Sequence, residues 1–385
     1  MIEIKNKLKP SATVAINTLA MKKKAVGQRV FNLSAGEPIL APHELILAAA
    51  NEAMRAGKTG YPPTMGISEL RKAASEWANA NYGSDFAVEE TLVTCGGKFG
   101  LYALARTFLG VGDEAISIAP YWVSYPSLVE MTGATSVEIK TEEQNNWKVN
   151  AEQLRANITS KTKIIFFNNA ANPTGVIYTR EEISALISVA VEHNVLFVSD
   201  EVYSGLVYEG EFVSAGSFPE YKNNVVVIQS VSKHFAMTGW RVGIVFGAAE
   251  IITALADLQS QSTTGTSIIS QYAAAAVFAN GEIVNARVRA EMLVRRNCLV
   301  QTLQEKCNDK IKSPAAGLYV FVSLIDLGVE EKDDVKFCEQ LLEEGNVALV
   351  PGTPFGAPGY VRFSFGAEPA ELVAAVETLA DFLKK

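Results

Sequence analysis

Lys233 is the residue of this sequence whose setting first suggests chemistry. It lies in the segment SVSKHFAMTGWRVG (230–243), just after the apolar run 225–228, and Arg241 follows eight residues later. A lysine taken at random would be a solvated surface cation, because lysine is almost never fully buried without a partner. Other segments of the chain favour a chemical role for this one.

Turn-forming, polar or aromatic residues stand at the ends of five segments with the composition of buried strands. The segments cover 90–95, 114–119, 163–169, 195–200 and 224–230. The residues at their ends are Gly96, Gly97 and Lys98; Pro120, Tyr121 and Trp122; Asn172; Asp200 and Tyr203; and Ser230, Ser232 and Lys233. Each of them alone could be a turn, a helix cap or a core residue. Their presence at all five ends predicts a functional site.

Helical segments separate these strands. Apolar residues recur at helical spacing after Gly97, and Thr179 with Glu182 has the spacing of a capping box. Apolar strands alternating with helices predict a parallel sheet covered on both faces. Ligands of such sheets bind beyond the carboxyl ends of the strands, so we expect the residues named above to surround one ligand.

The combined residue types suit pyridoxal 5'-phosphate. This cofactor needs an amine to form an imine with its aldehyde, and an anion to keep its ring nitrogen protonated so that the ring accepts electrons. Lys233 can supply the amine and Asp200 the anion. Tyr203 and Asn172 can donate hydrogen bonds to the phenolate oxygen, and Trp122 can stack on the ring. The phosphate can be bound by Gly97, Lys98, Ser230, Ser232 and Arg241.

Three segments, NPTG (172–175), SDEVYSGLVYEG (199–210) and the Lys233 segment, resemble class I aminotransferases of pyridoxal-phosphate fold type I. The resemblance runs from KPSATV (9–14) to VRFSFG (361–366). It implies an α/β fold: a large domain with a mainly parallel sheet and helices on both faces, plus a smaller α/β domain. It also implies that Lys233 forms the internal aldimine and then carries the proton between the substrate Cα and the cofactor C4'. The family positions with the roles given above are Asp200, Tyr203, Asn172, Trp122, Ser230 and Arg241.

The same resemblance implies a homodimer with shared active sites. Tyr61, in TGYPPTMG (59–66), matches a tyrosine that reaches the phosphate bound by the neighbouring subunit. Arg362 matches the arginine that binds the substrate α-carboxylate, and Gly36 lines the same pocket, as do Trp122 and Asn172.

The substrate side chain is predicted from LKPSATVAIN (8–17), which resembles the bacterial-type aspartate aminotransferase subgroup, some of whose members accept prephenate. There Lys9, Ser11 and Thr13 lie near the substrate side chain, and Lys98 lies near its distal carboxylate. We therefore expect ping-pong transfer from L-aspartate to 2-oxoglutarate. Two departures, the apolar GEPILAPHEL (36–45) and Phe99 in place of glutamine, leave aromatic, alanine or prephenate transamination as alternatives.

The predicted division of the chain has three parts. Residues 1–44 should pack with the small domain, residues 45–284 should form the large cofactor-binding domain, and residues 285–385 should form the small domain. The second boundary is placed there because a long helix rich in charged residues is predicted to begin near residue 282.

Composition narrows the partners and the compartment. The net charge is -8, and no basic block is long enough to follow a phosphate backbone, which makes nucleic acid an unsuitable partner. No apolar run approaches the ~18 residues of a membrane span. The four cysteines form neither a C-x-x-C pair nor a dense framework, as expected of a reducing compartment, so we predict a cytoplasmic protein.

Other functional classes lack their motifs. No G-x-G-x-x-G indicates a nicotinamide enzyme, no G-x-S-x-G indicates a hydrolase, and Phe99 stands where a P-loop needs Ser or Thr. His43, His193 and His234 lack metal-ligand spacing, so no metal site is predicted. A sensor or regulator on the same fold would need an additional domain. A pyridoxal-phosphate carbon–sulfur lyase is the nearest chemical rival, since it would use nearly the same cofactor contacts.

Overall fold

The computed structural model describes residues 10–384, so the predicted substrate residue Lys9 lies outside the described residues. The strands are β1 (Phe31–Asn32), β2 (Thr91–Thr94), β3 (Glu114–Ala119), β4 (Thr135–Lys140), β5 (Thr162–Asn168), β6 (Leu196–Asp200), β7 (Val225–Ser230), β8 (Gly243–Phe246), β9 (Tyr319–Ser323), β10 (Val347–Ala348), β11 (Val350–Pro351) and β12 (Tyr360–Ser364). The helices are α1 (Ala12–Ala25), α2 (Glu44–Arg55), α3 (Ser68–Tyr82), α4 (Gly97–Phe108), α5 (Tyr125–Glu130), α6 (Ala151–Asn157), α7 (Arg180–Glu192), α8 (Val231–His234), α9 (Ala249–Ser260), α10 (Ile268–Ala279), α11 (Gly281–Lys306), α12 (Asp334–Glu344) and α13 (Pro369–Leu383).

The large sheet has seven strands in the order β2-β8-β7-β6-β5-β3-β4. All neighbours pair in parallel except β8, which runs antiparallel to both β2 and β7. The five predicted strands are therefore present, and two further strands, β4 and β8, complete the sheet. The sequence pattern missed β8 because its first residue, Gly243, ends the Lys233 segment and only the three apolar residues 244–246 follow before Gly247.

Both faces of the large sheet are buried, as the apolar strands predict. Along β5, Ile165 and Phe167 pack into one hydrophobic cluster, while Ile164 and Phe166 pack into another on the opposite face. This alternation follows from the period of two along a strand. Helices α2, α3, α7 and α10 contribute to the first cluster, and α4, α5 and α9 contribute to the second. At the start of α7, Thr179 and Glu182 form the predicted capping box.

A second, smaller layer of the structure, called the second layer below, contains a three-stranded antiparallel sheet in the order β11-β12-β9. The N-terminal strand β1 pairs in parallel with β10, and Phe31 and Leu33 join the apolar cluster of this layer, which α11 and α13 also line. The predicted domain boundary at residue 284 falls inside the continuous helix α11, so the division into three parts stays a prediction. No helix within residues 10–384 combines the length and apolarity needed to cross a membrane.

Candidate active site

A cavity of about 240 Å³ opens where the carboxyl ends of the large sheet face the second layer. The predicted residues that line it are Ser11, Thr13, Gly36, Gly97, Lys98, Trp122, Asn172, Asp200, Tyr203, Ser230, Ser232, Lys233, Arg241 and Arg362. Residues that were not predicted also line it, namely Leu101, Asn168, Val202, Thr238 and Tyr319. Of the charged side chains around the cavity within residues 10–384, four are cationic and one is a carboxylate, so the site suits an anionic ligand.

Lys233 lies on the short helix α8 that follows β7. Its Nζ donates a hydrogen bond to the carbonyl oxygen of Gly36 at 2.6 Å. Burial lowers the pKa of this amine, and the nearby guanidinium groups of Arg362 and Arg241 lower it further, against opposing contributions from Tyr319 and Glu37. A lowered pKa raises the fraction of neutral amine, which is the form that attacks a carbonyl carbon or accepts a proton.

Asp200, the last residue of β6, lies at the bottom of the cavity with 4% of its surface exposed. Tyr125 donates its phenolic hydrogen to Oδ2 at 2.8 Å, and the Val202 backbone N–H approaches Oδ1 at 3.4 Å. Burial raises the pKa of this carboxyl to about 6, although Tyr125, Val202 and Lys233 all act to lower it. A cationic group in the cavity would therefore stabilise the carboxylate form.

Asn168 and Tyr319 extend the predicted network. Asn168 ends β5, donates from Nδ2 to the Asp200 carbonyl oxygen at 2.7 Å, and accepts the Asn172 backbone N–H at 2.7 Å. The rule that flagged the other strand ends would have identified Asn168 as well. Tyr319 shares a 2.8 Å hydrogen bond with the hydroxyl of Tyr203. No sequence signal marks Tyr319, because it begins an antiparallel strand of the other layer.

The N-terminus of α4 forms one wall of the cavity. Gly97 and Lys98 are its first two residues, so their backbone N–H groups have no partner within the helix. The hydroxyl of Ser230 lies 2.9 Å from both the Ser232 hydroxyl and the Val242 carbonyl oxygen. Hydroxyls and free N–H groups at a helix N-terminus are suited to a phosphate.

Arg241 lies beside that helix start. Its Nη1 donates to the Thr238 carbonyl oxygen at 2.9 Å. A Cβ atom at Gly96 would lie within 3 Å of the Arg241 guanidinium, and the backbone at Gly96 has a φ of +81°. Only glycine can adopt that conformation and also allow so close an approach, which explains the first of the two paired glycines, Gly96.

Arg362 is a buried cation without an anionic partner among residues 10–384. It is 2% exposed, its Nη2 donates to the Ser34 carbonyl oxygen at 2.8 Å, and its Nη1 donates to Asn172 Oδ1 at 3.1 Å. Its Nε is buried with no hydrogen-bond partner in the described chain. The rings of Tyr319 and Phe355 lie 4.0 and 5.1 Å from the guanidinium carbon. Because an unpaired buried charge is costly, this arrangement favours a carboxylate ligand.

Trp122, Ser11 and Thr13 line the same cavity as Lys98. Lys98 Nζ lies 4.8 Å from the centre of the Trp122 ring, and the hydroxyls of Ser11 and Thr13 are 2.9 Å apart. Burial lowers the pKa of Lys98, with further lowering by Arg241 and Lys233. Tyr61, by contrast, is 92% exposed and does not line the cavity of its own chain.

The comparisons with known proteins cover nearly the whole chain. The family model for aminotransferase class I and II matches residues 28–379. An aspartate/prephenate aminotransferase of Thermus thermophilus is 40% identical over 98% of this chain and 97% of its own length, and an aspartate aminotransferase of Geobacillus stearothermophilus is 39% identical over the same shares. A solved structure of aspartate aminotransferase from Thermus thermophilus with maleate superposes with a TM-score of 0.92 at 39% identity, covering 97% of both chains.

These matches confirm the predicted α/β fold and the predicted family. The two layers and the mainly parallel sheet correspond to those of the aspartate aminotransferase structures. Membership implies pyridoxal 5'-phosphate as cofactor and an amino acid with a 2-oxo acid as substrates. The chain belongs to the class I and II aminotransferases.

Proposed function

We propose that this aminotransferase transfers the amino group of L-aspartate to 2-oxoglutarate by a ping-pong mechanism. The observation that carries the proposal is the pair of separate cations in one cavity. Arg362 is buried without an anionic partner among residues 10–384, and a second cation, Lys98, lines the same cavity, as do Ser11 and Thr13. A dicarboxylic substrate can neutralise both cations at once.

The residues fit pyridoxal 5'-phosphate. Asp200 is a buried carboxylate suited to a ring nitrogen, and Trp122 offers a flat face. Phosphate donors come from Gly97, Lys98, Ser230, Ser232 and Arg241. When bound, the cofactor supplies an electron-accepting ring that stabilises negative charge at the substrate Cα.

The chain supplies positioning and proton transfer. Arg362 binds the α-carboxylate through two parallel donors and so fixes the orientation of Cα. Lys233, with its lowered pKa, would carry the proton from the substrate Cα to the C4' position of the cofactor in the first half of the reaction, and in the opposite direction in the second half. Asp200 would hold the ring nitrogen of the bound cofactor in its protonated form, and Tyr203 and Asn172 would donate to its phenolate oxygen.

Of the two departures from the subgroup pattern, Phe99 and the apolar residues Ile39 and Leu40 lie outside the cavity lining, whereas Gly36, the first residue of the second departure, lines it. Phe99 packs beside Tyr102 against the core, with ring centres 5.9 Å apart. Ile39 is half exposed, and Leu40 packs against the second-layer core. Neither substitution therefore enlarges the cavity in this chain, which supports aspartate over an aromatic donor. The curated relatives named above as aspartate enzymes, and the solved relative with maleate, a four-carbon dicarboxylate, support the same choice.

An amino-donor panel scored as kcat/KM tests the substrate. Aspartate should exceed alanine, methionine and phenylalanine by more than about tenfold, which corresponds to about 1.4 kcal/mol of transition-state discrimination. The panel should include prephenate as an acceptor, since one relative carries that name. Release of ammonia and pyruvate in place of transamination would identify a carbon–sulfur lyase.

We also propose that the active enzyme is a homodimer whose two subunits share their active sites, and that it is located in the cytoplasm. Leu47 and Met54, seven residues apart on one face of α2, are both exposed, as is the neighbouring Tyr61. Exposed apolar residues grouped in this way are suited to an interface. Mixing an inactive Tyr61→Ala chain with an inactive Lys233→Ala chain should restore part of the activity. Confirmed hybrids without activity would contradict shared sites.

A further inference from the structure

Asn32 connects two parts of the substrate site that lie far apart in sequence. Its Nδ2 donates to Asn17 Oδ1 at 2.6 Å, and its Oδ1 accepts both the hydroxyl of Ser34 at 2.7 Å and the Ser34 backbone N–H at 3.1 Å. Ser34 is 1% exposed, and its carbonyl oxygen accepts a hydrogen bond from Arg362. The side chain of Asn32 therefore hydrogen-bonds in two directions, to α1 through Asn17 and towards Arg362 through Ser34.

The first direction leads to helix α1. Ser11 immediately precedes this helix and Thr13 lies in its first turn, and both line the cavity. The helix is weakly attached, because Ala20 is its one buried residue and Lys23 pairs with Glu343 at its far end. Between residues 10 and 22, the bond from Asn32 to Asn17 is the one side-chain hydrogen bond that ties the helix to the rest of the described chain.

We infer that Asn32 is a positioning residue for substrate recognition. Through Asn17 it holds α1 so that Ser11 and Thr13 face the cavity, and through Ser34 it holds the carbonyl oxygen that orients Arg362. Asn32 itself is not among the residues that line the cavity. The inference rests on the proposed function for the side-chain half, because Ser11 and Thr13 are there assigned to the acidic side chain.

Three variants separate the two directions. Asn17→Ala breaks only the bond to α1, so KM for aspartate should rise about fivefold to tenfold while KM for alanine stays unchanged. Asn32→Ala breaks both, so KM should rise for every amino acid and should rise more for aspartate than for alanine, with kcat less affected. Asn32→Asp should behave like the wild type, because a carboxylate still accepts from Ser34 and can accept from the Asn17 amide once that amide is turned.

The measurements use the holoenzyme, with near-ultraviolet circular dichroism as the check that each variant is folded. Calorimetric titration with maleate gives a readout without turnover, and its Kd should rise about tenfold in Asn32→Ala and recover in Asn32→Asp. A purely structural role would lower stability and reduce kcat for all substrates without changing KM. Unchanged KM and unchanged maleate Kd in a folded Asn32→Ala variant would overturn the inference.

The outcome is distinguishable from a failure of the proposed function. If the wild type does not prefer aspartate, the substrate proposal fails, and the effect of Asn32→Ala is then read on whichever amino acid reacts best. If the wild type prefers aspartate and Asn17→Ala leaves the ratio of aspartate to alanine unchanged, the connection to α1 is wrong.

Discussion

The cavity has two sides that are built differently. The cofactor side (Asn168, Asp200, Ser230, Ser232 and Lys233) stands on the ends of β5, β6 and β7, strands that are buried almost throughout. The substrate side (Ser11, Thr13, Gly36, Lys98 and Arg362) comes mainly from an N-terminal segment and from β12, more than 300 residues away in sequence. Under the proposed function, the chemistry depends on residues at the ends of a continuous sheet, whereas substrate choice depends on segments joined by a few hydrogen bonds. Substitutions on the two sides should therefore fail in different ways.

The largest effect is expected at Lys233. Lys233→Ala should reduce kcat by about a thousandfold or more, because the base that moves the Cα proton is lost. Lys233→Arg should be equally inactive, since a guanidinium stays protonated and is no nucleophile. Wild-type protein treated with borohydride should carry the cofactor on the Lys233 peptide by mass spectrometry. Full transamination by Lys233→Ala would assign the chemistry to another residue.

Asp200→Ala should retain the cofactor and lose about a hundredfold to a thousandfold in kcat. The reason is that the ring nitrogen loses the anion that keeps it protonated, a loss of electrostatic stabilisation in a buried site. Absorbance of the bound cofactor and single-turnover kinetics measure the two effects separately. Asp200→Glu, which keeps the charge, is the matched control, and an unchanged rate in Asp200→Ala would place the electron-sink role elsewhere.

The cofactor side should also respond to acid through His234. This side chain is fully buried, and burial lowers its pKa to about 4, although the Val202 backbone acts to raise it. The unfolded chain binds a proton near pH 6.5 and the folded chain does not, so this group's contribution to stability is present above pH 6.5 and is lost as the pH falls towards 4. The loss should amount to about 3 kcal/mol.

Urea unfolding of the wild type and of His234→Leu at several pH values measures that contribution. The difference in the free energy of unfolding between the two proteins is needed because two buried carboxyl groups have the opposite effect on stability. Burial raises the pKa of Asp200 to about 6 and that of Glu201 to about 7, so both groups favour the folded state as the pH falls. The free energy of unfolding of the wild type, relative to that of His234→Leu, should fall steadily from pH 7 to pH 4.5. His193→Gln, at an exposed helix end, serves as the control, and parallel profiles for wild type and His234→Leu would contradict a buried neutral His234.

The smallest effect is expected on the substrate side, at Lys98. Lys98→Met removes the charge but keeps the backbone N–H at the start of α4. The kcat/KM for aspartate should fall about tenfold, while that for alanine should stay within about twofold. Lys163→Met, at an exposed position on β5, is the matched control. Equal losses for aspartate and alanine would show that Lys98 acts on the cofactor and not on the distal carboxylate.

The sequence predicted the cofactor side more completely than its surroundings. Strand ends are visible as apolar runs, so Asp200 and Lys233 could be found by their position alone. Tyr125 and Tyr319 could not be found in this way, because their contacts depend on how a helix and a second layer pack onto the sheet. On the substrate side, Arg362 was predicted by its resemblance to a family arginine, and its buried state without an anion is a result of the fold.

The antiparallel direction of β8 limits how the Lys233 segment can change in length. Because β8 runs back beside β7, the chain leaves the sheet at Ser230 and re-enters it at Gly243, so Lys233 and Arg241 stay at the same edge. A parallel successor to β7 would have begun at the opposite edge of the sheet, so the residues just before it would have been far from Lys233. Insertions or deletions between these two residues should therefore be eliminated by selection, whereas whole-segment exchange with a related enzyme should preserve both groups. We therefore expect the connection between Lys233 and Arg241 to have the same length in related enzymes, so an alignment of relatives should show no gaps in it.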